Sequence, residues 1–460
     1  MTRERRNRGD IYSKVVKHLI APLWAIKERS PYLKHLKYLE RSQYRPIDEV
    51  RNDQWRRFKK LLNHAYNNVE YYREHMRGDG ISSEDLNSWD DLLRLPILTK
   101  DDIRENKDRM VARNIDPKRL IPKKTSGSTG VSLEFYVNEE SLEWKRACTI
   151  KYDRWAGADI GEKVGAIWGN PEYKKTWRGY VRNFILERCI SLDTLRMGEE
   201  AMLKFYNQLK RSQPTLIYGH AHSLYLFAQF LRTKGCVDIR PRGIISTCMV
   251  LHDFERKVIE NAFECRVTNR YGCEEVSLIA CECKRHKGLH LNFDTLIVEF
   301  IRDGKPVKAG EAGAIVVTDL TNYGMPFIRY KVGDVGIPSD QFCNCGCSYP
   351  LMEGIEGRVA DYIVTPDGNY ISGISLTENF AMCLPMVKQM QIIQEKINYI
   401  ILRIVRDPHF NNETIKAIDR LFLERFGNQM KYSLDFVESI QQEQSGKYRF
   451  CISKVQNPFS

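Results

Sequence analysis

Residues 123–137 read KKTSGSTGVSLEFYV: two lysines, the six small residues Thr125, Ser126, Gly127, Ser128, Thr129 and Gly130, then an alternating apolar stretch. Backbone amides and hydroxyls that no bulky side chain obstructs converge readily on phosphate oxygens. The spacing is not that of a Walker A loop, in which Gly-Lys-Ser/Thr opens a helix. Here Gly130 is followed by Val131, and Val131, Leu133, Phe135 and Val137 alternate with polar or aromatic neighbours as strand residues do. A small-residue loop between two strands has two readings, a flap over a triphosphate and an ordinary glycine-rich turn.

Upstream, QWRRFKKLLNHAYNNVEYYREHM (54–76) places Trp55, Phe58, Leu61, Leu62, Ala65 and Val69 at helical spacing, so residues 11–78 are expected to be helical. In LPILTKDDIREN, Pro96 closes one element, and Thr99 with Asp102 has the capping-box spacing that opens the next helix. Downstream, helical and strand patterns alternate to about residue 270, as in LKFYNQLKRS then TLIYG, and FERKVIENAF then CRVTNRYG. That alternation predicts an α/β domain with parallel strands. Residues 289–337 change to hairpins, with LIVEFI and AIVVTDL flanking the turn RDGK. A turn at Pro366, Asp367 and Gly368 precedes about a hundred residues of mixed strand and helix, read as a second domain.

Length and composition agree with that division. A chain of 460 residues exceeds what one core ordinarily supports, and 42% hydrophobic residues is a globular proportion. No apolar run is long enough for a membrane span, and IYSKVVKHLIAPLWAI lacks the features of a secretory signal, so a cytoplasmic location is expected. The net charge of +12 is concentrated early, at Arg3, Arg5, Arg6, Arg8, Arg51, Arg56, Arg57, Lys59 and Lys60. A solvated helical face accounts for it, and so does a polyanionic partner, whether nucleic acid, anionic lipid or nucleotide. Seven of the 13 cysteines fall between Cys265 and Cys347, which favours metal binding over disulfides in a chain with no export signal.

Five further segments, NRYGCEEV (269–276), GEAGAIVVTDL (310–320), MPFIRYKVGD (325–334), GIEGRVAD (354–361) and QSGKYRF (444–450), follow TSGSTG in order. Together they resemble the adenylate-forming enzymes, in particular the phenylacetate-coenzyme A ligase-like family and its branch associated with capsular polysaccharide gene clusters. The resemblance implies an acyl-CoA synthetase-like α/β fold. Its large AMP-binding domain would span 1–357, with a helical leader at 1–95 and a zinc-bearing segment within 281–347, and a small mobile α+β domain would span 358–460. It implies ATP-dependent activation of a carboxylic acid, with Mg2+, and acyl transfer to coenzyme A or, in an amide-forming ligase, to an amine. By position, Thr125–Gly130 would wrap the β- and γ-phosphates, and Tyr271 and Gly272 would flank adenine. Glu275 would hold Mg2+, Asp334 would bind the ribose hydroxyls, Arg358 would lie near the ribose and Lys447 would be the catalytic lysine of the small domain.

Three positions depart from the family pattern: Met249 stands where a glutamate is usual, Glu274 where a hydroxyl or arginine is usual, and Ala360, followed by Asp361, where the acidic hinge residue is usual. They keep open a catalytically weakened nucleotide-binding partner as an alternative to the enzyme. A nucleic-acid binder gains nothing from the motif set. ACECKRHKGLH (280–290) and CNCGCSYP (343–350) offer Cys281, Cys283, His286, His290, Cys343, Cys345 and Cys347 as ligands, of which four suffice for tetrahedral zinc. The resemblance selects Cys283, His290, Cys343 and Cys345. His220, His222 and Trp168 lie near strand ends and are read as pocket or packing residues.

Overall fold

The computed structural model describes residues 10–124, 133–168, 176–194, 197–236, 238–358, 362–366, 370–372, 376, 384, 386–441 and 449–455. The leader is helical as its periodicity requires, in helices Ile11–Val15, Ala21–Glu28, Tyr32–Ser42, Ile47–Asn68 and Glu70–Gly78, with Val16–Ile20 wound as a π turn. The single long pattern of residues 54–76 breaks at Val69, whose backbone is extended. The break lets Phe58, Leu61, Leu62 and Ala65 from one helix and Tyr71, Tyr72 and Met76 from the next enter the same core. Thr99 and Asp102 form the expected capping box, with Asp102 N–H donating to Thr99 Oγ1 (3.2 Å) and Thr99 N–H to Asp102 Oδ2 (2.8 Å). It opens helix Lys100–Asn106 and so fixes Lys100 at the first helical position.

The small-residue stretch 125–130 is flanked in sequence by two antiparallel strands, β1 (Leu120–Lys124) and β2 (Glu134–Asn138), in register from Leu120↔Asn138 to Lys124↔Glu134. Leu133, Phe135 and Val137 are buried, in keeping with their alternation. The main sheet has twelve strands. Its parallel half comprises β3 (Val164–Ile167), β4 (Cys189–Leu192), β5 (Leu216–His220), β6 (Gly243–Thr247) and β7 (Val267–Cys273). Its antiparallel half comprises β8 (Ser277–Glu282), β9 (Leu289–Leu291), β10 (Leu296–Arg302), β11 (Lys305–Pro306), β12 (Gly313–Asp319), β13 (Tyr330–Ser339) and β14 (Leu351–Arg358). The spatial order is β11-β10-β12-β13-β14-β9-β8-β7-β6-β5-β3-β4. The switch from parallel to antiparallel at β7–β8 is the change of pattern seen near residue 270, since a short connection can only reverse the chain. β9 is three residues long and meets β14 through two pairs, His290↔Leu351 and Leu289↔Met352.

Beyond β14 lie the hairpin β15 (Tyr362–Val364) and β16 (Tyr370–Ser372), then a four-stranded sheet of β17 (Val387–Lys396), β18 (Tyr399–Arg406), β19 (Lys431–Phe436) and β20 (Cys451–Ser453). Helix Asn412–Phe426 packs Ile418, Phe422 and Phe426 against Ile392, Leu402 and Ile404. Asn411 caps it by accepting from the Glu413 and Thr414 amides, and Gly427, with φ +71°, ends it. These residues form a hydrophobic core of their own.

Candidate functional site

Arg329 anchors the entry into β13. The side chain is buried, its Nε and Nη2 donate to the two carboxylate oxygens of Glu299 (3.1 and 3.0 Å), and Nη1 donates to Leu93 O (3.2 Å). The Arg329 carbonyl accepts from Leu98 N–H (3.0 Å) and Lys331 N–H donates to Leu98 O (2.9 Å), so the segment ending in Lys100 runs alongside β13. Two tyrosines on or facing this strand then meet two carboxylates. Tyr330 Oη donates to Glu275 Oε1 (2.9 Å), and Tyr271 Oη donates to Asp334 Oδ2 (2.7 Å). β7 and β13 are separated by three strands in the sheet order, so the second contact requires the antiparallel half to curl.

Glu275 sits in the β7–β8 turn and is buried. Lys100 Nζ lies 3.7 Å from its carboxylate, and Lys145 Nζ donates to its backbone carbonyl (3.2 Å). Burial, reinforced by the Glu275 carboxylate, pushes the Tyr330 phenol and the Cys273 thiol well above their ordinary pKa values, so both stay protonated and Tyr330 stays a donor. Gly272 is required by close approach, because a Cβ there would lie 2.4 Å from Ser277 O across the bulged hairpin. Gly333 has φ +97°, a conformation that favours glycine, and lies beside the Lys100 ammonium. Asp334 is paired in register with Arg358 on β14.

The structure thus brings Tyr271, Gly272, Glu275 and Asp334 together. Of Arg358 only the backbone is described; Thr125, Ser126, Gly127, Ser128, Thr129, Gly130 and Lys447 lie outside the described residues, as do Ala360 and Asp361. Lys100, Lys123, Lys145 and Tyr330 were not singled out from the sequence as site residues. The signal for Lys100 was present in its capping box. Lys123, next to the loop, lies 3.4 Å from Glu274, so this unusual acidic residue has a cation opposite it. Met249 follows Cys248, whose φ is +65°, and packs against the core of the parallel half. His220 packs against Trp168 with tilted rings whose centroids are 4.3 Å apart, and His222 Nδ1 lies 3.3 Å from Glu255, so both histidines have packing or pairing roles.

At the β9–β14 seam the ligand atoms of Cys283, His290, Cys343 and Cys345 all lie within 4.8 Å of one another. Cys283 Sγ and Cys343 Sγ are 3.6 Å apart, and Cys345 Sγ is 3.4 Å from His290 Nε2. A zinc–sulfur bond of about 2.3 Å sets the sulfur–sulfur edge of a tetrahedron at ~3.8 Å, so the number, type and closeness of the donors fit a tetrahedral zinc. His290 Nδ1 pairs with Tyr349 O (3.1 Å), leaving Nε2 to face the thiols. Amides of Arg285 and Cys347 point at the Cys283 and Cys345 sulfurs (3.4 Å each). The three alternative ligands go elsewhere. Cys281 is buried with its thiol on Glu282 O, His286 pairs with Glu282, and Cys347 packs with Val50, Phe293 and Tyr349.

Comparison with known proteins agrees with this architecture. Residues 363–454 match the CapK C-terminal domain. The chain is 26% identical over 435 residues to Protein CapK of Staphylococcus aureus, covering 92% of this chain and 93% of that one. It is 23% identical over 331 residues to a phenylacetate-coenzyme A ligase of Thermus thermophilus, covering 69% and 72%. The crystal structure of 2-hydroxyisobutyryl-CoA ligase in the postadenylation state, in complex with R3-HIB-AMP, shares the fold with a TM-score of 0.73 at 18% identity over 90% of this chain and 92% of that one. In its ordered motifs and along most of its length the chain is similar to CapK and to phenylacetate-coenzyme A ligases, it shares the fold of an acyl-CoA ligase, and its last domain matches the CapK C-terminal type.

Proposed function

We propose that the chain condenses a carboxylic acid with ATP and then hands the acyl group to coenzyme A. In the first step a substrate carboxylate oxygen bonds to the α-phosphorus, the bond from that phosphorus to the bridging oxygen breaks, and pyrophosphate leaves. In the second step the thiol sulfur bonds to the acyl carbon and AMP departs. The observation that carries the reading is the pair of buried tyrosine-carboxylate contacts, Tyr330 with Glu275 and Tyr271 with Asp334, held beside Lys100. A carboxylate is a double acceptor suited to a diol, which is the role assigned to Asp334 toward the ribose. Tyr271 and Gly272 flank the adenine, and Arg358, opposite Asp334 in the ladder, serves the ribose from the domain junction.

Thr125–Gly130 close over the β- and γ-phosphates from the β1–β2 hairpin. Glu275 is the residue that would hold Mg2+, a hard cation that takes one or two carboxylates together with substrate phosphates, and which when bound neutralises phosphate oxygens. The single buried Glu275 carboxylate, flanked by a phenol and an ammonium rather than by a second acid, suits that count. Lys447 adds a cation from the mobile domain at 358–460, against a nucleotide domain at 1–357. Cys283, His290, Cys343 and Cys345 would hold a structural zinc. ATP and coenzyme A as proposed substrates suit a cytoplasmic enzyme; no helix of the described residues is long and apolar enough to cross a membrane.

Pyrophosphate exchange against a panel of aryl, fatty and amino acids, followed by mass spectrometry with coenzyme A or amines present, tests the proposal. Exchange is expected with at least one acid and is expected to fall by a few orders of magnitude in Lys447→Ala. Tight ATP binding without exchange for any acid would instead support the weakened partner suggested by Met249 and Ala360. With an active acid in hand, Asp334→Ala is expected to raise KM for ATP roughly tenfold or more, the equivalent of about 1.5–3 kcal/mol for charge-assisted hydrogen bonds. An unchanged KM removes Asp334 from the ribose.

A further inference from the structure

The first helical segments leave an apolar stripe uncovered. Ile11, Val15, Leu19, Leu23 and Ile26 recur at spacings of three and four residues, and Ile11 and Ile26 are 83% and 73% exposed. The opposite side of the same segments is buried, through Ser13, Val16, Ala21 and Ala25. A second stripe lies on residues 177–187, where Trp177, Tyr180, Val181 and Phe184 follow helical spacing and Trp177 and Phe184 are 73% and 74% exposed. The two segments pack on each other: Val16 and Ala21 bury against Leu186, and Tyr12 Oη donates to Ile185 O (3.2 Å). The two segments thus share a buried seam, and each turns an apolar row to solvent. Scattered apolar residues on a surface are ordinary, but a helical row of them on each of two segments that pack together is not scatter.

Charge around this seam is sorted by sign. Its acidic residues turn to cations within the fold, Asp10 to Arg188 (2.6 Å) and Glu28 to Arg182 (3.9 Å). Lys14, Lys27, Arg29 and Arg178 are exposed and form no ion pair among the described residues. The sequence immediately before Asp10 adds Arg3, Arg5, Arg6 and Arg8 against a single Glu4. A surface of aliphatic and aromatic side chains rimmed by cations fits an anionic lipid bilayer, which takes the apolar groups into the acyl boundary and the cations at the headgroups. Trp and Tyr suit that boundary, being apolar in body and polar at one end. A nucleic acid would use the cations and leave Ile11, Leu19 and Ile26 in water. A second copy meeting the same patch by twofold symmetry would set these cations against each other.

We propose that the helices at 11–28 and 177–187 form a peripheral docking surface for anionic membranes. Flotation of the full chain with phosphatidylcholine vesicles, with and without a phosphatidylglycerol fraction, tests it. Binding is expected only to the anionic vesicles. The exposed pair Ile26→Ser with Phe184→Ser should lower the partition coefficient about tenfold or more, since each loses a side chain's worth of apolar burial; its thermal midpoint should match the parent's. Absence of flotation with anionic vesicles overturns the proposal, as does a double variant that floats like the parent. So does light scattering that shows a parent dimer converted to monomer by the two serines.

Discussion

Replacing Glu275 by glutamine is expected to lower acid-dependent pyrophosphate exchange by about 10²–10³-fold while leaving the thermal midpoint nearly unchanged. The substitution keeps shape and an acceptor oxygen, so the Tyr330 hydroxyl retains its partner at the 2.9 Å position. Lys100 is partly exposed and rehydrates when the carboxylate charge goes. What disappears is the full negative charge through which Glu275 would hold a divalent cation on the phosphates. A rate within threefold of the parent, measured at saturating Mg2+ and ATP, would make Glu275 only an anchor for Tyr330 and Lys100.

Cys345→Ser is expected to release the metal and destabilise the chain by about 3–5 kcal/mol, a fall in midpoint on the order of 10 °C. Mass-spectrometric metal analysis should find one zinc per chain in the parent and close to none in the variant. The two outcomes are read separately. Parent protein that is purified without chelators, carries negligible zinc and still melts cooperatively would show that the four donors need no ion. The size of the effect follows from position, because the cluster joins the β8–β9 connection to the β13–β14 connection, segments some sixty residues apart in sequence.

Periodicity was a good guide wherever one face of an element meets one core. The helices at 47–78, the alternation through β5 to β7 and the antiparallel pairing of β10 with β12 follow directly from it, although the RDGK turn closes on the two-residue β11 rather than on β12. The capping box at Thr99 was legible for the same local reason. The partners of Glu275 were not, because Tyr330 and Lys100 reach it from distant segments that only the curl of the sheet brings together. The four metal-site donors were chosen by resemblance; spacing alone left Cys281, His286 and Cys347 in contention until their own hydrogen bonds and packing placed them elsewhere. The first helices expose the converse limit. Their apolar residues are visible in the sequence, but a pattern states that a face is apolar without stating what lies against it. Glu274 gives a further case, since its departure from the family pattern is answered by Lys123, a residue of β1.

The three-residue strand β9 divides the molecule mechanically. Two paired residues carry the continuity between the strands β3 to β9 on one side and the strands β10 to β14 on the other. Apart from the two-residue edge strand β11, every other join in the main sheet has a longer ladder, so a clasp across this interior join gives most return. Cysteine and histidine side chains stand at that join, where an ion held between them would act as a rivet.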